Sequence, residues 1–257
     1  MKPGSAARRL RVLHDRLFAA YGPQHWWPAE TAFEVVLGAY LTQNTSWKAV
    51  ERSLGNLRAA GALTVEGLRA VGLDELRRLI EPSGFYTRKA PALKAFVALL
   101  DAEFGGSLDV MAAAPTEGLR GQLLELPSVG QETADAILLY ALGHETPVVD
   151  EYLRRIVERH GLGDGKIRYE TLAGLTRAAF DGDEAAGRAQ LYNEFHALTV
   201  AVGKAHCGRA ARCEGCPLEA DLPRGHCGVT AALRADRAES DASLHSAPLG
   251  RGGLKGR

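Results

Sequence analysis

Apolar residues recur three and four positions apart along most of the chain, and no segment sustains the alternation of a half-buried strand. This periodicity predicts helices over 5–20, 31–43, 46–60, 64–81, 88–104, 115–125, 130–142, 149–160, 168–180 and 185–203. Short polar or Gly/Pro runs separate them, such as "EPSGFY" at 81–86 and "GLGDG" at 161–165. The expected fold class is all-α, without internal repeats. From about residue 229 the chain carries small and charged residues with almost nothing to bury, which predicts a disordered tail over 229–257.

The 257 residues, 46% hydrophobic, suffice for one large or two modest domains. No apolar run approaches the roughly 18 residues of a membrane span, so no membrane partner is expected. The first residues lack the apolar core of a signal peptide, which argues against secretion. Formal net charge is zero, and residues 1–228 carry 26 basic against 28 acidic groups. Any nucleic-acid face must therefore be a local patch or a helix N-terminus rather than a basic surface. Only seven of the cations are lysines.

Two stretches carry candidate chemistry. "LPSVGQETADAIL", residues 126–138, is an uncharged tight loop running into a helix. Amide groups around Ser128, Val129, Gly130 and Gln131 would open the helix with the positive end of its dipole, a grip for a phosphate that ignores base sequence. The competing reading is plain capping, Ser128 and Gln131 forming an S-x-x-Q box with Glu132 suited to the dipole. Eighteen residues beyond Glu132, Asp150 follows Pro-Val-Val and precedes Tyr152, Leu153 and Ile156. It reads as a helix N-cap, or as a carboxylate placed to stabilise a developing cation.

"LPSVGQETADAILLYALGHETPVVDEYLRRI" resembles the helix-hairpin-helix, Gly/Pro loop and Asp signature of the endonuclease III superfamily of DNA glycosylases. The resemblance implies that the hairpin grips a DNA phosphate and that Asp150 is the catalytic carboxylate. Lyase members carry a nucleophilic Lys where this chain has Glu132. Schiff-base chemistry needs an amine, and no Lys occurs between 94 and 166. Lys48 and Lys204 are set aside as cleft residues, so a glycosylase without lyase activity is expected.

All four cysteines fall late, in the pattern C-x5-C-x2-C-x10-C at Cys207, Cys213, Cys216 and Cys227. One local metal site in a reducing cytoplasm is expected rather than a disulfide framework. One short pair with two outlying cysteines is closer to iron–sulfur ligation than to structural zinc. The resemblance implies a 4Fe–4S cluster, although the family's usual C-x6-C-x2-C-x5-C differs in the first and last gaps. Cys227 is the ligand that this puts in question.

The aromatic residues narrow the resemblance. Trp26-Trp27-Pro28, "LTQNT" at 41–45 with Trp47, "PSGFY" at 82–86 with Lys89-Ala90, and Glu132 together are similar to the bacterial 3-methyladenine DNA glycosylase branch. That likeness implies a base pocket of Trp26, Trp27, Pro28, Trp47 and Glu132, with Gln43 filling the gap left by a flipped base. A purine methylated at N3 is cationic and its glycosidic bond is already weakened. Stacking on electron-rich rings and one carboxylate under the sugar then suffice. His196 is taken as structural.

The expected architecture is a six-helix barrel with the hairpin over 30–145 and a helical iron–sulfur domain from 1–29 and 146–228, flanking a DNA cleft. The expected activity is excision of alkylated purines from damaged double-stranded DNA by a monomer in the cytoplasm, at the nucleoid. The alternatives are a glycosylase for oxidised or mispaired bases, and a non-catalytic damage-binding module.

Overall fold

The computed structural model describes residues 3–27, 29–163, 166–183 and 185–223. Pro28, Cys227 and the tail expected to be disordered lie outside the described residues. Within them every regular element is helical. The α-helices are α1 (Pro3–Tyr21), α2 (Ala32–Leu41), α3 (Trp47–Ala59), α4 (Val65–Ala70), α5 (Leu73–Leu79), α6 (Tyr86–Phe104), α7 (Leu108–Ala112), α8 (Thr116–Glu125), α9 (Gln131–Ala136), α10 (Glu151–Arg159), α11 (Tyr169–Ala179) and α12 (Ala185–Ala205).

Helix α2 is buried over its whole length from Phe33 to Leu41, as a helix apolar on all sides must be. It packs against α3, α6 and α9, whereas α1 packs on α11 and α12, and α10 on α12. A π-helical turn, Ile137–Ala141, continues α9 and touches both α2 and α12. It is thus a bridge between the two helix groups, and it widens the helix where Tyr140 projects.

The structure departs from the predicted elements at three places. The single helix expected over 64–81 breaks at Val71 and Gly72 into α4 and α5. The cause is tertiary: Lys94 Nζ, from α6, donates to the carbonyls of Leu68 (2.6 Å) and Arg69 (3.0 Å), holding the end of α4 open. Helix α7 was not expected, and the helix predicted to run through 142 closes in the π turn instead. A second buried ammonium matters to the site. Lys89, only 2% exposed, donates to Leu41 O (2.8 Å) and Ser83 O (2.9 Å), and burial lowers its pKa to about 8. It caps α2 and so fixes where the following segment, Thr42 to Trp47, leaves the core.

Candidate functional site

The hairpin is the loop from Leu126 to Gly130 between α8 and α9. Ser128 adopts a left-handed conformation, φ 63°, which turns the chain sharply. The capping box does not form: Gly130 is the N-cap of α9, and no side chain caps it. The Ser128 carbonyl instead accepts from Gln43 Nε2 (2.9 Å), which also donates to Thr133 Oγ1 (2.9 Å). Gln43, expected to act on DNA, therefore ties the end of α2 to the hairpin. Behind the loop, Arg120 on α8 forks onto Asp135 of α9 (2.6 and 3.0 Å), whose carboxylate is wholly buried. Arg120 also reaches Glu170 on α11 (2.8 Å), and Glu170 accepts from Gln131 (2.9 Å).

A cleft of about 870 Å³ opens beside the hairpin, lined by residues scattered from Gln24 to Lys204. Asp150, Glu132, Gln43, Trp26, Trp27 and Trp47 all lie on its wall, so the expected pocket residues converge. Ser128, Val129, Gly130 and Gln131 lie outside that lining, on the hairpin. Asp150 is the N-cap of α10, its Oδ1 accepting from Leu153 N–H at 2.8 Å. One oxygen is thus committed to the helix, and Oδ2 lies 3.6 Å from His196 Nε2. The other nitrogen of His196 bonds Tyr140 Oη from the π turn. Burial, with Asp150, Glu132 and Glu194 nearby, pushes the Tyr140 phenol well above its ordinary value, so it stays protonated. Glu132 lines the cleft and remains open to water. Crowding by protein and then the charge of Asp150 raise its carboxyl to about 7.

The aromatic wall is continuous. Trp27 meets Trp47 edge to face (5.5 Å, 80°) and lies 5.3 Å from the Tyr140 ring, while Trp26 stacks on His196 (5.6 Å, 14°). Trp47 opens α3, and its indole N–H donates to Glu51 (3.0 Å) one turn on. Small residues let the wall close. A Cβ at Gly38 would sit 3.1 Å from Trp27, and one at Gly203 would fall 2.1 Å from Tyr152. Pro28 lies outside the described residues.

Lys204, set aside from sequence, does line the cleft, with Nζ 5.9 Å from the Trp26 ring centroid. Lys48 is absent from the lining. Tyr140 and Tyr152 were missed, and His196 was taken as structural. Their signal is faint, because each is a single residue whose partners come from other elements, as Tyr140 does for His196.

The cysteine loop folds against α10. Arg155 donates to Cys207 O (2.9 Å), while Arg159 donates to Cys207 Sγ (2.9 Å), Gly208 O (2.8 Å) and Arg209 O (3.0 Å). Cys207 and Cys216 carry free thiols, both half-buried. Burial and then nearby Cys207 are among the causes that raise the Cys216 thiol. Among the described residues no three ligands are gathered for a metal, and Cys227 lies outside them.

Comparison with known proteins is consistent with this geometry. Residues 37–178 match the model of the HhH-GPD superfamily base excision DNA repair proteins. The chain is 41% identical over 208 residues to a protein of Methanocaldococcus jannaschii provisionally named a DNA repair glycosylase, covering 80% of this chain and 92% of that one. Its structure is similar to that of the Helicobacter pylori 3-methyladenine DNA glycosylase bound to 1,N6-ethenoadenine: TM-score 0.66, 29% identity, 80% of this chain and 98% of the other. A trapped endonuclease III–DNA covalent intermediate shares the fold with a TM-score of 0.69 at 21% identity, over 86% and 96% of the two chains.

Proposed function

The chain belongs to the HhH-GPD superfamily of base excision DNA repair proteins and is a DNA glycosylase of that superfamily; we propose that it hydrolyses the glycosidic bond of alkylated, cationic purines, 3-methyladenine foremost. The observation that carries this reading is the cleft itself, where three tryptophans and two carboxylates, Asp150 and Glu132, face one space. Electron-rich rings and negative charge favour a cationic base over a neutral one. In this proposal the C1′–N bond breaks with its electron pair leaving on the base, which departs neutral. Asp150 stabilises the sugar cation, and a water adds to C1′ as its proton passes to that carboxylate. Val129 N–H is spent on the Leu126 carbonyl (3.2 Å), so the hairpin amides of Ser128, Gly130 and Gln131 hold a backbone phosphate while Trp26, Trp27, Pro28 and Trp47 take the flipped base. The barrel is assigned to 30–145 and the companion domain to 1–29 and 146–228, with double-stranded DNA between them.

Strand cleavage is not part of this reading, because Glu132 stands where an amine would be required. Lys204 gives that statement a sharp check. Its ammonium is engaged with the Trp26 face, so borohydride should trap no covalent DNA adduct. A trapped adduct lost in Lys204→Met would overturn the claim.

A 4Fe–4S cluster on Cys207, Cys213, Cys216 and Cys227 belongs to the same proposal. The sulfur-only donor set and the guanidinium N–H on Cys207 Sγ suit thiolates that carry negative charge. When bound, the cluster would crosslink the loop beneath α10 and α12. Visible absorbance in anaerobically purified protein, lost in Cys216→Ser, tests it.

The decisive experiment incubates the protein with duplexes carrying single defined lesions and measures released base, with Asp150→Asn as control. Release of methylpurine that disappears in Asp150→Asn is expected. Release confined to oxidised pyrimidines would overturn the substrate, and release of nothing would favour a binding module.

A further inference from the structure

Asp150 reaches the cleft with only half of its carboxylate free, because Oδ1 is held by the Leu153 amide. What fixes the free half comes from a helix forty-odd residues further along the chain. His196 is buried on α12, 7% exposed, with Nε2 3.6 Å from Asp150 Oδ2 and Nδ1 bonded to Tyr140 Oη. A carboxylate oxygen can only accept. An imidazole turning a lone pair toward it would be repelled, so Nε2 carries the proton and Nδ1 accepts from the phenol. The phenol is a suitable donor, since its buried surroundings keep it protonated. The ring is held by the Tyr140 bond and by its stacking on Trp26. Glu132 from α9 faces the same group, and Lys204 reaches Trp26 from the end of α12.

We infer that His196 is a positioning residue: Tyr140 locks its tautomer so that Nε2–H faces the free oxygen of Asp150 at 3.6 Å, an electrostatic contact longer than a hydrogen bond that tightens when substrate fills the cleft and links the catalytic carboxylate to the aromatic wall. The inference rests on the reading of Asp150 as the catalytic group. Its consequence is geometric, and misplacing a reacting group by about 1 Å costs on the order of 10²-fold in rate. A purely structural His196 would be replaceable by any ring that keeps the packing.

The test separates these roles. His196→Phe keeps a ring against Trp26 but loses the N–H; His196→Gln restores an N–H near the Nε2 position; Tyr140→Phe removes the tautomer lock. Single-turnover base release is measured beside affinity for a duplex with an abasic-site analogue and thermal stability. The expected result is release slowed on the order of 10²-fold in His196→Phe, with DNA affinity retained and partial recovery in His196→Gln. Tyr140→Phe should slow the wild type but change nothing further in the His196→Phe background. Wild-type release by His196→Phe would overturn the inference, as would equal losses in His196→Phe and His196→Gln. A readout without turnover keeps it separate from the glycosylase reading. Nitrogen-15 chemical shifts of the His196 ring should show the Nε2-protonated neutral tautomer, shifting toward a mixture in Tyr140→Phe. A ring protonated at Nδ1 would overturn the inference whether or not any base is released. Absence of base release from the wild type, with the expected tautomer intact, would count against the proposed substrate instead.

Discussion

The hairpin and the cysteine loop are both held in place by arginines, yet they are held differently. At the hairpin, Arg120 forks onto a wholly buried carboxylate and then onto Glu170, so one cation joins α8, α9 and α11 through side chains alone. At the cysteine loop, Arg155 and Arg159 reach backbone carbonyls and one sulfur. The first arrangement is complete in itself. Every charge in it has its partner, and the uncharged loop sits on helices joined by those pairs. The second leaves two half-buried thiols, Cys207 and Cys216, in a loop held by arginines, one of which donates to the Cys207 sulfur.

The largest effect separating the two should come from Arg120→Ala. It strands the Asp135 carboxylate, 0% exposed, without its counter-ion. Breaking a buried pair from one side costs about 3–5 kcal/mol, and chemical denaturation should read a loss of that size. Joint replacement, Arg120→Met with Asp135→Leu, should recover much of the stability. If the single variant costs no more than a surface ion pair, the hairpin is not clamped as described.

Arg159→Ala should cost less, because the carbonyls of Gly208 and Arg209 can turn to water. About 1 kcal/mol is expected in denaturant titration. Its clearer signature is local: amide exchange from 207 to 209 should quicken while the hydrogen-bonded amides of α9, such as Ala134 N–H on Gly130 O (2.9 Å), keep their protection. Acceleration at both ends would mean that the two clamps act as one unit.

The sequence made these two regions legible to different depths. Helix periodicity located nearly every long helix, and the uncharged hairpin with Glu132 and Asp150 was readable because its chemistry is packed into 25 consecutive positions, 126–150. The clamp was not readable. Arg120 and Asp135 lie 15 residues apart on different helices, and nothing local marks either as paired. The break at Val71 and Gly72 and the placement of Lys204 and His196 in the cleft were hidden for the same reason. Each depends on a partner distant in sequence, Lys94 of α6 in one case and Trp26 of the α1–α2 connection in the other two. Capping was misread in the opposite sense. S-x-x-Q is a sound local signal, but the left-handed turn at Ser128 moves the helix start to Gly130 and the Gln131 side chain bonds Glu170 instead.

The smallest effect on stability, and the sharpest on the contrast, should come from Glu132→Gln. The folded carboxyl is raised to about 7 from an ordinary 4.5, by crowding in the cleft and then by Asp150. The folded state therefore binds a proton that the unfolded chain has released. The stabilising contribution is complete below the unfolded value and is lost as pH rises through about 7. Because water reaches the carboxyl, the effect on thermal stability should be slight: wild type loses a little more than Glu132→Gln as that window is crossed. Function should respond in the other direction. Ionisation places a second negative charge beside Asp150, so capture of a cationic methylpurine should strengthen across the same window while capture of a neutral base does not. Glu132→Gln should flatten that rise, and Arg159→Ala should leave it intact, since the cysteine end puts no group into the cleft near Glu132. A rise that persists unchanged in Glu132→Gln would assign the titration elsewhere and remove the hairpin helix from base selection.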